Sequence, residues 1–141
     1  MQVAENSYMS TSGFVIAGEN VKASSVLLTR KVRSEKKIAA ELQKLKNSGI
    51  SEQNSFAFMF ACCGRGENHY RGKSGLEAGT FNKMFPNTPL VGVFGNGEIG
   101  ISHIPDFNGS NETSEKVNAL KPGQFLHSFT TIFVMVSFDN C

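Results

Sequence analysis

The sequence predicts an α+β domain: a mostly antiparallel sheet packed by two or more helices. Three observations carry this. Ser34 to Ser48 has helical spacing, with Ile38, Leu42 and Leu45 at i, i+4 and i+7 on one face. Phe56 to Cys62 is a short, almost wholly apolar, aromatic-rich run, the pattern of a strand buried on both faces and therefore central. His127 to Phe138 is β-branched and aromatic, good material for the sheet interior.

Phe14 to Ala17, between Gly13 and Gly18, reads as a short strand, and Ala23 to Thr29 as a second. Ser34 can cap the first helix. Lys44 and Lys46 suit its last turn, and Gly49 supplies a left-handed stop. A second helix opens with Ser74-Gly75-Leu76-Glu77, a capping box in which Ser74 and Glu77 satisfy each other's amides. Leu76, Thr80, Phe81, Met84 and Phe85 form its inward stripe, and Pro86 ends it. Asn96-Gly97 predicts a type I′ hairpin, because both central residues must take positive φ. In that hairpin Phe94 faces Ile99 and Gly92 faces Ile101, while Val93, Gly95, Glu98 and Gly100 share the other face. Asp106 to Gly123 is polar and reads as a long exposed loop, which the sequons at Asn108 and Asn111 would mark. Residues 1–12 are expected to be loose, and residues 13–141 to form one domain.

A chain of 141 residues is long enough to bury a real core. The net charge of +2 gives no argument for nucleic acid, since the basic residues of Lys31 to Lys46 lie on a mixed-charge helix. No apolar run approaches the roughly 20 residues that span a bilayer, so no membrane partner is expected. Gln2 to Ser12 lack the basic start and apolar centre of a signal peptide. Three cysteines, two of them adjacent, make a poor disulfide framework and fit a reducing compartment, cytosol or nucleus.

The candidate chemistry gathers after the central strand. Strand alternation sends Cys62 and Cys63 to opposite faces, which argues against a shared metal site. One thiol could open to solvent near Arg65, whose charge favours the thiolate; the alternative is two buried small hydrophobes. Gly64-Arg65-Gly66 could let the backbone approach an anion with Arg65 as a clamp. The plainer reading is a tight turn whose arginine braces a carboxylate such as Glu98 or Glu77. Glu98 follows a tight turn among small neighbours and could brace or contact a ligand. His69, His103 and His127 are scattered, and no acyl-transfer signature accompanies them. Neither a cofactor nor a metal is expected.

Ala61-Cys62-Cys63-Gly64-Arg65-Gly66, then the helix ending Met84-Phe85-Pro86, then Val91 to Gly100, resembles the C-terminal FIST domain found in F-box-only proteins. The likeness runs from about Ser55 to the C-terminus and includes Phe125 to Ile132. The matching motif reads Ala-Cys-x-Gly-Arg-Gly, which shifts the reactive-thiol reading toward Cys62. The resemblance implies a non-catalytic recognition domain of an SCF-type ubiquitin ligase, directing target proteins to proteasomal degradation in cytoplasm and nucleus. The chain contains no F-box pattern, so the Skp1–cullin complex would be reached only through an F-box elsewhere. It also lacks the N-terminal FIST half. Recognition is expected to use Cys62, Arg65, Tyr70, Glu98 and Phe107, with Tyr70 and Phe107 as exposed loop anchors. An alternative is a small-ligand sensory domain, in which Arg65 and Glu98 cradle an amino-acid-like zwitterion. A hydrolase or transferase using Cys62 is a third.

Overall fold

The computed structural model describes residues 13–109 and 125–139. The expectations for residues 1–12 and for most of the Asp106 to Gly123 loop, including Asn111, lie outside them, as does Cys141. In chain order the elements are β1 (Val21–Leu28), α1 (Glu35–Asn47), β2 (Ser55–Cys62), α2 (Leu76–Met84), β3 (Leu90–Gly95), β4 (Glu98–Ile99), β5 (Leu126–His127) and β6 (Thr131–Phe138). Single 3₁₀ turns at Cys63–Arg65 and Glu67–Tyr70 lead from β2 toward α2. The main sheet has the order β1-β6-β2-β3, and β4 and β5 form a small separate pair. β6 runs antiparallel to both β1 and β2, while β3 runs parallel to β2. A parallel neighbour requires a crossover, which α2 provides. The α+β class holds, with a mixed sheet.

One face of the sheet carries the core. Val26, Leu28, Ala57, Met59, Phe133 and Met135 meet Ile38, Leu42 and Leu45 of α1 and Phe81 of α2. The Phe81 ring stacks on Phe133 at 5.3 Å and on Phe85 at 4.8 Å. Each fully buried side chain of this size contributes about 1.5–3 kcal/mol. The first helix ends as its residues dictate. Ser34 accepts a hydrogen bond from the Lys37 amide, and Gly49 takes a φ of 76° beyond the last turn.

Several local expectations give way to tertiary demands. Phe14 to Ala17 is not a strand. The β1 edge where it could pair is bridged at Ser25 by His103, and Phe14 instead sets its ring 5.4 Å from Phe58. β2 lies inside the sheet, but only its Ala57, Met59 and Ala61 face is buried. Among the described residues no helix covers the other face, where Phe56 and Phe58 are half-buried and Phe60 is 38% exposed. Those three rings pack on one another at 5.2 and 5.8 Å, which accounts for an aromatic run on a half-open face.

The capping box does not form. Gly75, not Ser74, is the N-cap of α2, in a left-handed conformation with no side-chain cap. Glu77 is turned inward instead. The Asn96-Gly97 hairpin is also absent. Gly97 has a φ of 97°, but Asn96 is not in the left-handed region, so the type I′ requirement fails. β4 leaves β3 and pairs Glu98 with His127 and Ile99 with Leu126. The last strand is broken after His127, with Phe129 at a φ of 56° before β6 begins. Gly64 makes room for that break: a Cβ there would lie 2.8 Å from the Phe129 ring.

Candidate functional site

Arg65 closes the first 3₁₀ turn after β2 and is 2% exposed. A guanidinium removed from water must have its donors engaged. Its Nε donates to Glu77 Oε1 at 3.0 Å and lies 3.2 Å from Thr131 Oγ1. Nη1 donates to the Thr29 carbonyl at 3.0 Å and faces the Phe129 carbonyl at 3.4 Å. Nη2 donates to Tyr70 Oη at 2.6 Å and also to Glu77 Oε1. Tyr70 Oη in turn donates to Glu77 Oε1, and Thr131 Oγ1 donates to Glu77 Oε2 at 2.7 Å. The cluster is saturated, and it ties the β2 exit, α2, β6 and the end of β1 together.

Burial pushes the Tyr70 hydroxyl far above its usual range, with the Glu77 hydrogen bond and charge adding to the effect. It therefore stays a donor. His69 Nε2 sits 3.1 Å from Arg65 Nη1 and 3.2 Å from the Val32 carbonyl oxygen. It can accept from the first or donate to the second, not both. Burial holds its pKa below the ordinary histidine value; the Val32 carbonyl pulls the other way, and the Arg65 charge adds to the lowering.

This geometry corrects four expectations. Arg65 braces Glu77, as the plainer reading had it, and none of its hydrogen bonds reaches Glu98, so the Arg65–Glu98 zwitterion cradle is not formed. Tyr70 is 4% exposed and part of the brace, not a surface anchor. Phe107 is half-buried against the core, with Lys22 Nζ 5.6 Å from its ring centroid and its amide donating to the Ser48 carbonyl. Cys62 is 6% exposed while Cys63 is exposed, the reverse of the expected order of access. β2 ends at Cys62, so strand alternation does not reach Cys63, which opens the 3₁₀ turn.

Glu98 is also buried, at 4%. Its Oε2 accepts from the Thr130 amide at 3.2 Å and from Thr130 Oγ1 at 2.8 Å. It forms part of the wall of a pocket of about 160 Å³, together with Phe60, Ala61, Val93, Gly95, Gly97 and Ile99. Its cross-strand partner His127 directs Nε2 to the Gly100 carbonyl at 2.8 Å, where it can only donate.

The surface that is open is apolar. In β3, Val91, Val93 and Phe94 are 63%, 55% and 56% exposed, and the strand carries no charge, proline or bulge on its free edge. Val91 and Val93 sit in register beside Phe58 and Phe60, so they extend the uncovered aromatic face of β2. Ile99 and Leu126, paired across β4 and β5, continue it. Sequence reasoning placed the apolar anchors in loops and missed this patch. The signal was present in Leu90-Val-Gly-Val-Phe-Gly95, an apolar run too uniform for a hairpin strand with one wet face.

The FIST C domain family matches residues 4–101. The match thus begins well before Ser55, where the likeness read from motifs starts. The chain is 42% identical over 124 residues to F-box only protein 22 of Homo sapiens and of Pongo abelii, an alignment covering 88% of this chain. It is 29% identical over 105 residues, 73% of its length, to an F-box/LRR-repeat protein of Arabidopsis thaliana. The chain spans 30% of the length of the first two relatives and 18% of the third.

Proposed function

Because this chain belongs to the FIST C domain family, we propose that it is a recognition domain of the F-box protein type, holding target proteins for an SCF-type ubiquitin ligase. Three relatives named as F-box proteins support this reading. The observation that carries the recognition role is the uncovered apolar surface running from the β3 edge across Phe60 to Ile99 and Leu126. Contiguous exposed apolar surface marks sites of protein contact, and an unguarded strand edge can take an added strand from a partner. The buried polar residues support the same division of labour, since Arg65, Tyr70 and Glu77 are spent on holding the fold. The domain is non-catalytic, its targets go on to proteasomal degradation, and it works in cytoplasm and nucleus. Contact with Skp1 and cullin is made through an F-box outside the sequence described here.

The test is to express the tagged chain in cells beside a Val91→Lys/Val93→Lys variant and compare bound proteins quantitatively. Proteins held by the first and lost from the second should show longer half-lives when the chain is overexpressed, because it sequesters them from the ligase. Identical partners for both, or partners whose turnover does not change, would contradict the reading.

A further inference from the structure

Asn96-Gly97 is a strong local signal for a hairpin turn, and the fold leaves it unused. The chain bends there without closing a hydrogen-bonded turn, and Gly95, Asn96 and Gly97 are all exposed. Asparagine followed by glycine also carries a chemistry. The glycine amide nitrogen can attack the asparagine Cγ, and it is hindered by a side chain on its own residue or by a fixed backbone. Gly97 removes the first obstacle, and the space that a Cβ would fill there is open, with the His127 carbonyl oxygen 4.0 Å off. The bend removes the second. Ring closure has to rotate the Asn96 ψ, and here that breaks no turn hydrogen bond.

The fold treats another such pair, Asn108-Gly109, differently. Asn108 lies in a hydrogen-bonded turn, and its amide donates to Asp106 Oδ1 at 3.0 Å. The Phe107 amide donates to the Ser48 carbonyl at 2.7 Å, which ties this turn to the end of α1. The Asn108 side chain lies across Gly49, where a Cβ would collide with it. Ring closure at Asn108 has to disturb these contacts.

We propose that Asn96 is a deamidation site that puts a charge at the end of the open β3 edge and so lowers the domain's hold on its partners. The Gly97 nitrogen bonds to Asn96 Cγ and gives up its proton, and the Cγ–Nδ2 bond breaks to release ammonia. Water then opens the cyclic imide at one carbonyl or the other, leaving aspartate or isoaspartate. The sum is asparagine and water giving the acid and ammonia, with no oxidant or reductant. The effect on partners rests on the recognition reading above and names how that surface is regulated. Asn96 directly follows β3 and stands in the chain between Val93 and Ile99, two residues of the exposed apolar patch. A carboxylate there resists burial under a partner and guards a strand edge. Isoaspartate does more, because it routes the main chain through Cβ. It thus lengthens the short link between two strands whose positions are set elsewhere, β3 by β2 and β4 by β5.

For the site, the folded chain is incubated at mildly alkaline pH beside the same chain in urea. Cleavage after Glu98 then separates the two Asn-Gly pairs for mass spectrometry. In the folded chain Asn96 should convert at least fivefold faster than Asn108, and in urea the two should convert at similar rates. Conversion of Asn96 no faster than Asn108 in the folded chain, or the same ratio in urea, would overturn the site. For the effect, the probes are the proteins that the tagged chain captures and Val91→Lys/Val93→Lys loses. Aged chain and fresh Asn96→Asp should each hold at least threefold less of them than fresh chain, while aged Asn96→Gln keeps its hold. Undiminished capture by aged chain and by Asn96→Asp would overturn the effect. Capture that ignores Val91→Lys/Val93→Lys as well would instead remove the recognition reading, and the site would stand on its conversion rates, which are read without any partner.

Discussion

Arg65 and Glu77, twelve residues apart, form an ion pair whose side chains are 0% and 5% exposed. The pair joins the turn after β2 to the first turn of α2, and Tyr70 and Thr131 complete the carboxylate's hydrogen bonds. It fastens the start of the crossover helix that returns the chain to β3, the strand that bears the open edge.

Removing either partner strands a buried charge. Glu77→Ala and Arg65→Ala should each cost about 3–5 kcal/mol in urea denaturation. Replacing both together by Leu and Met should recover much of the loss, because the pair then leaves no orphaned charge. Additive losses in the double variant would show that the two residues act separately.

Tyr70→Phe removes one donor from Glu77 while Arg65 and Thr131 remain. A loss of about 1–2 kcal/mol is expected, with capture of partner proteins unchanged at a temperature where the variant is folded. Weaker capture by a fully folded Tyr70→Phe chain would restore the tyrosine as a contact residue.

Stability should fall as pH drops below neutral. His69 has a pKa lowered from 6.5 by burial, with Arg65 and Arg33 acting in the same sense and the Val32 carbonyl and Glu77 opposing. The unfolded chain therefore takes up this proton first. Below about pH 6.5 it binds more protons than the folded state, and the stability that His69 supports above that pH is lost progressively. Urea midpoints at pH 7.5, 6.5 and 5.5 should show this fall, and His69→Gln should flatten it. Equal slopes in both proteins would exclude His69 as the cause.

Much of this fold is legible in the residues. The spacing of Ile38, Leu42 and Leu45, with Ser34 ahead and Gly49 behind, states α1 almost completely. Phe56 to Cys62 announces a strand within the sheet because nothing in it suits water. The failures share one cause: a local motif was outbid by a distant partner. Glu77 suits a capping box locally, but it also lies four and seven residues before Phe81 and Met84, on the inward stripe. A carboxylate on such a stripe needs a buried cation, and Arg65 was available. Asn96-Gly97 states a hairpin locally, yet β3 has its partner in β2 and β4 has its own in β5. Tyr70 and Phe107 lie in connections, which gave no sign that the core claims both rings.

The edge residues carry little of the stability. Val91→Lys and Val93→Lys, singly, should shift the unfolding free energy by no more than about 0.5 kcal/mol, since both side chains are more than half exposed. A large loss of stability would mean that the patch is part of the core.

The most direct measurement places a photo-crosslinking phenylalanine analogue at Val91, on the β3 edge beside Phe58, and in parallel at Lys36, exposed on α1. Irradiated cells should yield a discrete set of protein adducts from position 91, enriched in ubiquitin-modified species, and few from position 36. The same adducts from both positions, or none from position 91, would contradict the claim that this edge is where the domain holds its targets.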